Sequence, residues 1–119
     1  MIVAVLGASP KPERISNQAL HRLQAKGHKV IPVNPAHQMI DGIPVVKRLS
    51  EIGEAVDTLT IYVGADHIGA IIPDIIKLRP NRVIINPGAE SVELTTALAL
   101  AKIHYLEACT LVMLSTGQF

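Results

Sequence analysis

The stretch Gly7-Ala8-Ser9-Pro10-Lys11-Pro12-Glu13-Arg14-Ile15-Ser16 holds the residue types that receive a phosphate. Gly7 stands directly after a run of five apolar residues, Ile2–Leu6, so the chain can turn sharply there and a ligand can approach the backbone. The amides that follow, with the start of a helix near Ser16, supply donors for an anion. Ser9 adds a hydroxyl, and Lys11 and Arg14 add positive charge. The competing reading is an ordinary strand-to-helix loop with solvated charges. The GxxxxGK[ST] pattern of nucleotide hydrolases is absent. One glycine, Gly7, stands where a dinucleotide fingerprint has three. An NAD site also places an acid near the end of the second strand to hold the ribose diol. Here that strand ends Val33-Asn34-Pro35, and no Asp or Glu lies between Glu13 and Asp41. Neutral or basic surroundings suit a phosphorylated ribose better.

Other segments add polar groups. Asn34 can hydrogen-bond a ribose or base edge, Pro35 fixes the chain direction, and His37 can face a phosphate. In Tyr62–His67, Gly64 after Val63 permits close backbone approach, and Asp66 is expected to cap the next helix. Asp66 and His67 are neighbours at a helix start and do not face each other, which counts against an acid–base pair. Asn86-Pro87-Gly88 form a turn whose amides can line a cofactor channel, with Glu90 reading as a helix-start residue. The five histidines lack HExxH or HxH spacing, and Ser9 lacks a GxSxG elbow. Cys109, in the apolar stretch EACTLVML, reads as a buried small hydrophobe. No catalytic residue and no metal ligand is assigned.

These segments need a frame. Ile2–Leu6, Lys29–Val33, Thr58–Val63 and Arg82–Ile85 are continuous apolar runs rich in β-branched residues, as in strands buried on both faces; His104–Ala108 is a weaker fifth. A helix capped by Ser16 carries Ala19, Leu20 and Leu23 on one face and stops at Gly27. A second, capped by Asp66, carries Ile68, Ile71, Ile72 and Ile75, with a kink or delayed start at Pro73 and an end near Leu78 imposed by Pro80. A third opens at Ser91 or Glu90 and carries Leu94, Ala97, Leu98 and Ala101. Asp41-Gly42 marks a turn, Pro44–Val46 a short strand, and Leu49–Ile52 a helical turn, while Thr110–Phe119 fits a helical turn or a strand. Strands alternating with helices predict an α/β fold: a Rossmann-like, open, mostly parallel five-stranded sheet with helices on both faces, three layers in all. Such a sheet binds ligands beyond the carboxyl ends of its strands, where the segments above fall.

The ordered set Gly7-Ala8-Ser9, Val33-Asn34-Pro35, Gly42-Ile43-Pro44-Val45, Ile61-Tyr62-Val63, Asn86-Pro87-Gly88 and a late Cys109 resembles the small, stand-alone CoA-binding domain proteins. These are similar to the N-terminal CoA-binding domain of the succinyl-CoA synthetase α-subunit. The resemblance spans nearly the whole chain and implies coenzyme A as cofactor, lying across the carboxyl edge of the sheet. It implies that Ala8, Ser9 and the Lys11–Asn17 stretch, with Arg14, Ser16 and Asn17, hold the nucleotide phosphates. Val33-Asn34-Pro35 would border adenine and ribose, and Asn86-Pro87-Gly88 the pantetheine path. His37 stands where the synthetase pattern has a lysine. Gly64-Ala65-Asp66 stands where the synthetase pattern has prolines, and the synthetase phosphate loop has more glycines, whereas Gly7–Arg14 carries Pro10 and Pro12. The resemblance carries CoA binding but not ligase chemistry, because these residues include no counterpart of the synthetase's phosphorylated histidine domain. The 3′-phosphate would be met by Lys11, Arg14 or both.

Composition narrows the classes. A chain of 119 residues is expected to form one domain with its own core. Hydrophobic residues at 49% and charged residues at 18% exclude intrinsic disorder. Aromatics at 3% exclude a stacking platform for single-stranded nucleic acid, and a net charge of +1 leaves no broad basic field for nucleic acid or an anionic membrane. One cysteine permits no internal disulfide. The apolar N-terminal run is too short for a signal peptide or a span, so a soluble cytoplasmic protein is expected. The leading expectation is a CoA or acyl-CoA binding protein without catalysis of its own. The alternatives are an NADP-binding oxidoreductase-like protein and a ligand-free interaction module, and a protein partner or homo-oligomer fits any of the three.

Overall fold

A computed structural model describes all residues, Met1–Phe119. Five strands, β1 (Ile2–Leu6), β2 (Lys29–Val33), β5 (Thr58–Ile61), β6 (Arg82–Ile85) and β7 (His104–Glu107), form one parallel sheet in the order β2-β1-β5-β6-β7. The sheet is Rossmann-like, as the alternation of buried runs and helices predicts. A two-residue hairpin, β3 (Met39–Ile40) and β4 (Ile43–Pro44), stands apart from it.

The period-two arrangement of each strand divides the core. Val3 and Val5 of β1 face α1 (Ile15–Ala25) and α5 (Thr110–Ser115), packing with Leu20, Leu23 and Leu114. Ala4 and Leu6 face the other side, where α2 (Ala65–Ile68), α3 (Ile72–Leu78) and α4 (Val92–Leu100) contribute Ile68, Ile75, Leu94 and Leu98. Helices therefore cover both faces. The chain leaves β1 for β2 on one side and returns at β5 on the other. That reversal opens a crevice at the carboxyl ends of β1 and β5.

Several local expectations are corrected. Ser16 is not the cap of α1: the cap is Arg14, two residues earlier, the helix starts at Ile15, and Ser16 is buried in its first turn. Asp66 is not a cap either, since Gly64 holds that position and no side chain caps α2. The helix expected over Ile68–Ile75 divides into two, and the delayed start expected at Pro73 is observed: Pro73 cannot donate an amide and occupies the first turn of α3. Arg79 ends α3 in the left-handed region at φ +49°, escaping the right-handed conformation that Pro80 disfavours. Two strands stop short of their predicted ends, β5 at Ile61 rather than Val63 and β7 at Glu107 rather than Ala108. Ser91 does cap α4, its Oγ accepting the Leu94 amide at 3.2 Å. Thr110–Ser115 is helical, and Cys109 at its N-cap is only half-buried.

Candidate functional site

Gly7 sits at φ +88°, and a Cβ there would meet Val63 Cγ2 at 3.1 Å and the Tyr62 backbone carbon at 3.3 Å. Only glycine fits the turn out of β1 while β5 closes on it. The amides of Gly7 and Ala8 both point at the Val33 carbonyl, 3.2 and 3.3 Å away, so they pin the loop to β2 rather than to a ligand. The free donors lie further on. The amides of Ser9 and Glu13 in the loop, and of Ile15 and Ser16 at the start of α1, have no acceptor within the chain. Ser9 Oγ accepts the Lys11 amide at 3.2 Å, leaving its own proton to donate. Lys11 and Arg14 are exposed, and neither forms an ion pair. Orphan amides at a helix start, backed by the helix dipole and two unpaired cations, favour an anion.

These groups surround a cavity of about 550 Å³ that Gly7, Ala8, Ser9, Lys11, Arg14 and Ser16 line from one side. Asn34, His37 and Tyr62 line it from the other. Asn17 lies behind the loop: it is buried, and its side-chain amide donates to the Ser9 carbonyl at 2.8 Å and to Asp41 Oδ2 at 2.9 Å. Its part is to hold the loop, not to face the cavity. Asp41 also accepts His21 Nε2 at 2.8 Å, and these two hydrogen bonds hold its carboxyl below the usual carboxylate range.

A second cavity, of about 330 Å³, lies across Gly7 and Asn34, which line both. Val33, Pro35 and Val63 give it apolar wall, with Leu6, Leu49 and Ile71. Asn34 is spent on structure: its Nδ2 donates to the Ala8 carbonyl at 2.7 Å and its Oδ1 accepts the Ala36 amide at 2.7 Å.

Gly64, Asn86, Pro87 and Gly88 line neither cavity. A Cβ on Gly64 would stand 3.8 Å from the Gly88 carbonyl, so the two turns are neighbours at the sheet edge. Asn86 is buried and fully committed. Its Nδ2 donates to Thr60 Oγ1 at 2.7 Å and to the Ile61 carbonyl at 2.9 Å, and its Oδ1 accepts the Thr110 amide at 2.9 Å. The Gly88 amide donates to Glu90 Oε1 at 2.8 Å and the Ala89 amide to the Asn86 carbonyl at 2.9 Å. The amides expected to line a channel are therefore satisfied within the turn, leaving the exposed Pro87 and Gly88 as its outer surface.

Sequence reasoning missed Tyr62 and the Lys47-Arg48 pair. Tyr62 lines the larger cavity; burial pushes its phenol above the usual range, against the nearby Thr60 and Thr110 hydroxyls, with which it makes no well-formed hydrogen bond. Lys47 and Arg48 stand at the smaller cavity. They are the one place where two Lys or Arg residues are adjacent in this sequence, a signal that was available. No helix is long and apolar enough to cross a membrane.

Known proteins share this fold. A crystal structure of an uncharacterised protein superposes with a TM-score of 0.92 at 37% identity, covering 99% of this chain and 97% of that one. A dinucleotide forming acetyl-coenzyme A synthetase from Ca. Korarchaeum cryptofilum, solved with phosphate and ADP, gives a TM-score of 0.77 at 25% identity; the match covers 90% of this chain but 25% of the synthetase. The uncharacterised protein YneT of Bacillus subtilis is 27% identical over 75 residues, 63% of this chain and 56% of that protein, so the match spans little more than half of its length. The family model described as a CoA binding domain matches residues 2–115, and this chain belongs to that family.

Proposed function

We propose that this chain binds coenzyme A or an acyl-CoA through this domain alone and without catalysis of its own. The carrying observation is the convergence of four orphan amides, those of Ser9, Glu13, Ile15 and Ser16, with unpaired Lys11 and Arg14 on the larger cavity. That cavity lies at the topological switch point of the sheet, where a nucleotide diphosphate gains both helix-end donors and charge. Family membership supports the choice of CoA among diphosphate ligands. The pantetheine arm runs past Gly64 and Gly88, which carry no side chain to obstruct it. Val33, Asn34 and Pro35 border the adenosine, with Asn34 shaping the wall rather than pairing with the base.

Titration calorimetry with CoA, NADP⁺, NAD⁺ and ATP tests the reading. Saturable heat with CoA, and weaker or no heat with the others, is expected. No heat with CoA at millimolar concentration alongside saturable NADP⁺ binding would overturn it in favour of an oxidoreductase-like protein.

A further inference from the structure

We infer that Lys47 and Arg48, rather than the Lys11 and Arg14 expected from the sequence, recognise the 3′-phosphate on the ribose of the bound coenzyme, because Lys11 and Arg14 lie on the cavity that takes the diphosphate. This inference rests on the CoA reading above and assigns the adenosine end of that ligand. The smaller cavity is walled by aliphatic side chains such as Val33, Leu49 and Ile71, and accepts a flat heterocycle without aromatic stacking. It meets the anion-binding cavity at Gly7 and Asn34, so one ligand can place its diphosphate against α1 and its adenosine in the slot.

The cations reach the slot because their segment is anchored on both sides. Val46 bridges to Val33, with its amide donating to the Pro32 carbonyl at 3.1 Å. Leu49 is buried, and the Lys47 amide donates to Glu51 Oε1 at 2.8 Å. The two side chains nevertheless stay exposed and largely unpaired. Lys47 enters no ion pair, and Arg48 has only Asp74, 4.0 Å away at the limit of contact. Asp74 lines the same slot, so the three side chains leave one net positive charge beside apolar walls, and Lys47 with the outer edge of Arg48 suits a doubly charged phosphate monoester, which a free ribose lacks. His37, at the position where the resemblance points to a lysine, lines the other cavity.

The test compares CoA with 3′-dephospho-CoA by calorimetry, on the wild-type chain and on the Lys47→Ala/Arg48→Ala double variant. The wild type should bind CoA about tenfold tighter than dephospho-CoA, the size of a charge-assisted phosphate contact. The double variant should bind CoA only as well as dephospho-CoA, and its affinity for dephospho-CoA should stay within about twofold of wild type, as expected where no charge contact is lost. Equal wild-type affinity for both ligands overturns the inference and leaves the CoA reading standing, as does discrimination that survives in the double variant. Loss of dephospho-CoA binding in the variant also overturns it, because the pair would then serve the slot and not the phosphate. No binding of either ligand to the wild type overturns both readings.

Discussion

The side-chain amide of Asn34 donates to the carbonyl of Ala8 at 2.7 Å, tying the loop after β2 to the loop after β1. The bond lies on the ridge between the two cavities, and the Ala36 amide closes on the same side chain at 2.7 Å. Asn34→Ala removes both. Stability should fall by about 1 kcal/mol, the usual cost of losing one partly buried hydrogen bond together with an exposed one, and CoA affinity should fall with it. Urea denaturation and calorimetry on the same samples check the pair of effects. Unchanged affinity at reduced stability would show that the ridge does not shape the ligand site.

Gly7→Val places a Cβ where φ is +88° and where Val63 and the Tyr62 backbone stand within 3.4 Å. Strain and overpacking together should cost about 2 kcal/mol or more. The displaced loop should also abolish CoA binding in the fraction that folds. Denaturation midpoints followed by a binding titration decide this, and retained affinity would discredit the phosphate assignment of the loop.

The charges of that loop separate binding from folding. Lys11 and Arg14 are exposed and make no ion pair, so Lys11→Ala/Arg14→Ala should shift the melting temperature by no more than about 2 °C. CoA affinity should drop about tenfold, with a flatter dependence on salt. Equal binding by the double variant would move the diphosphate elsewhere on the molecule.

Much of the frame was legible because burial on both faces leaves a direct mark. Ile2–Leu6, Lys29–Val33 and Arg82–Ile85 read as strands and are strands, with no residue gained or lost at their ends. Gly7 was legible for the same reason, as a glycine directly after a buried strand. What stayed hidden depends on contacts between distant segments. Asn86 looks like a turn residue in the sequence, but its amide is consumed by Thr60, Ile61 and Thr110, brought to it by β5 and α5. Asn17 and Asp41 meet only because the β3–β4 hairpin folds back over α1. Ser16 carried the residue type of a cap, but cap chemistry depends on where the helix starts, and α1 starts at Ile15 with Arg14 as its cap. The smaller cavity has no motif because its walls come from segments after four different strands, β1, β2, β4 and β5.

Acid should destabilise the fold through His28. Its pKa is lowered from 6.5 by burial first, then by the N-terminal ammonium and Arg82, and the Met1 nitrogen lies 3.1 Å from its Nδ1. The unfolded chain therefore takes up a proton that the folded chain refuses as pH falls below 6.5. Stability should be complete above that pH, decline through the window beneath it, and flatten below the folded pKa. In His28→Gln that part of the pH dependence of urea denaturation should vanish, whereas an unchanged slope would assign it to another group.

The location of the ligand is tested most directly by amide chemical shifts of the ¹⁵N-labelled chain during titration with CoA. Saturable shifts should concentrate at Ser9, Glu13, Ile15 and Ser16, whose amides have no partner in the chain, and extend to Asn34 and the Lys47-Arg48 segment. The buried amides of β6 should hardly move. Shifts that never saturate, or that cluster on the far edge around β7 and α4 while the Gly7–Ser16 loop stays still, would contradict the account.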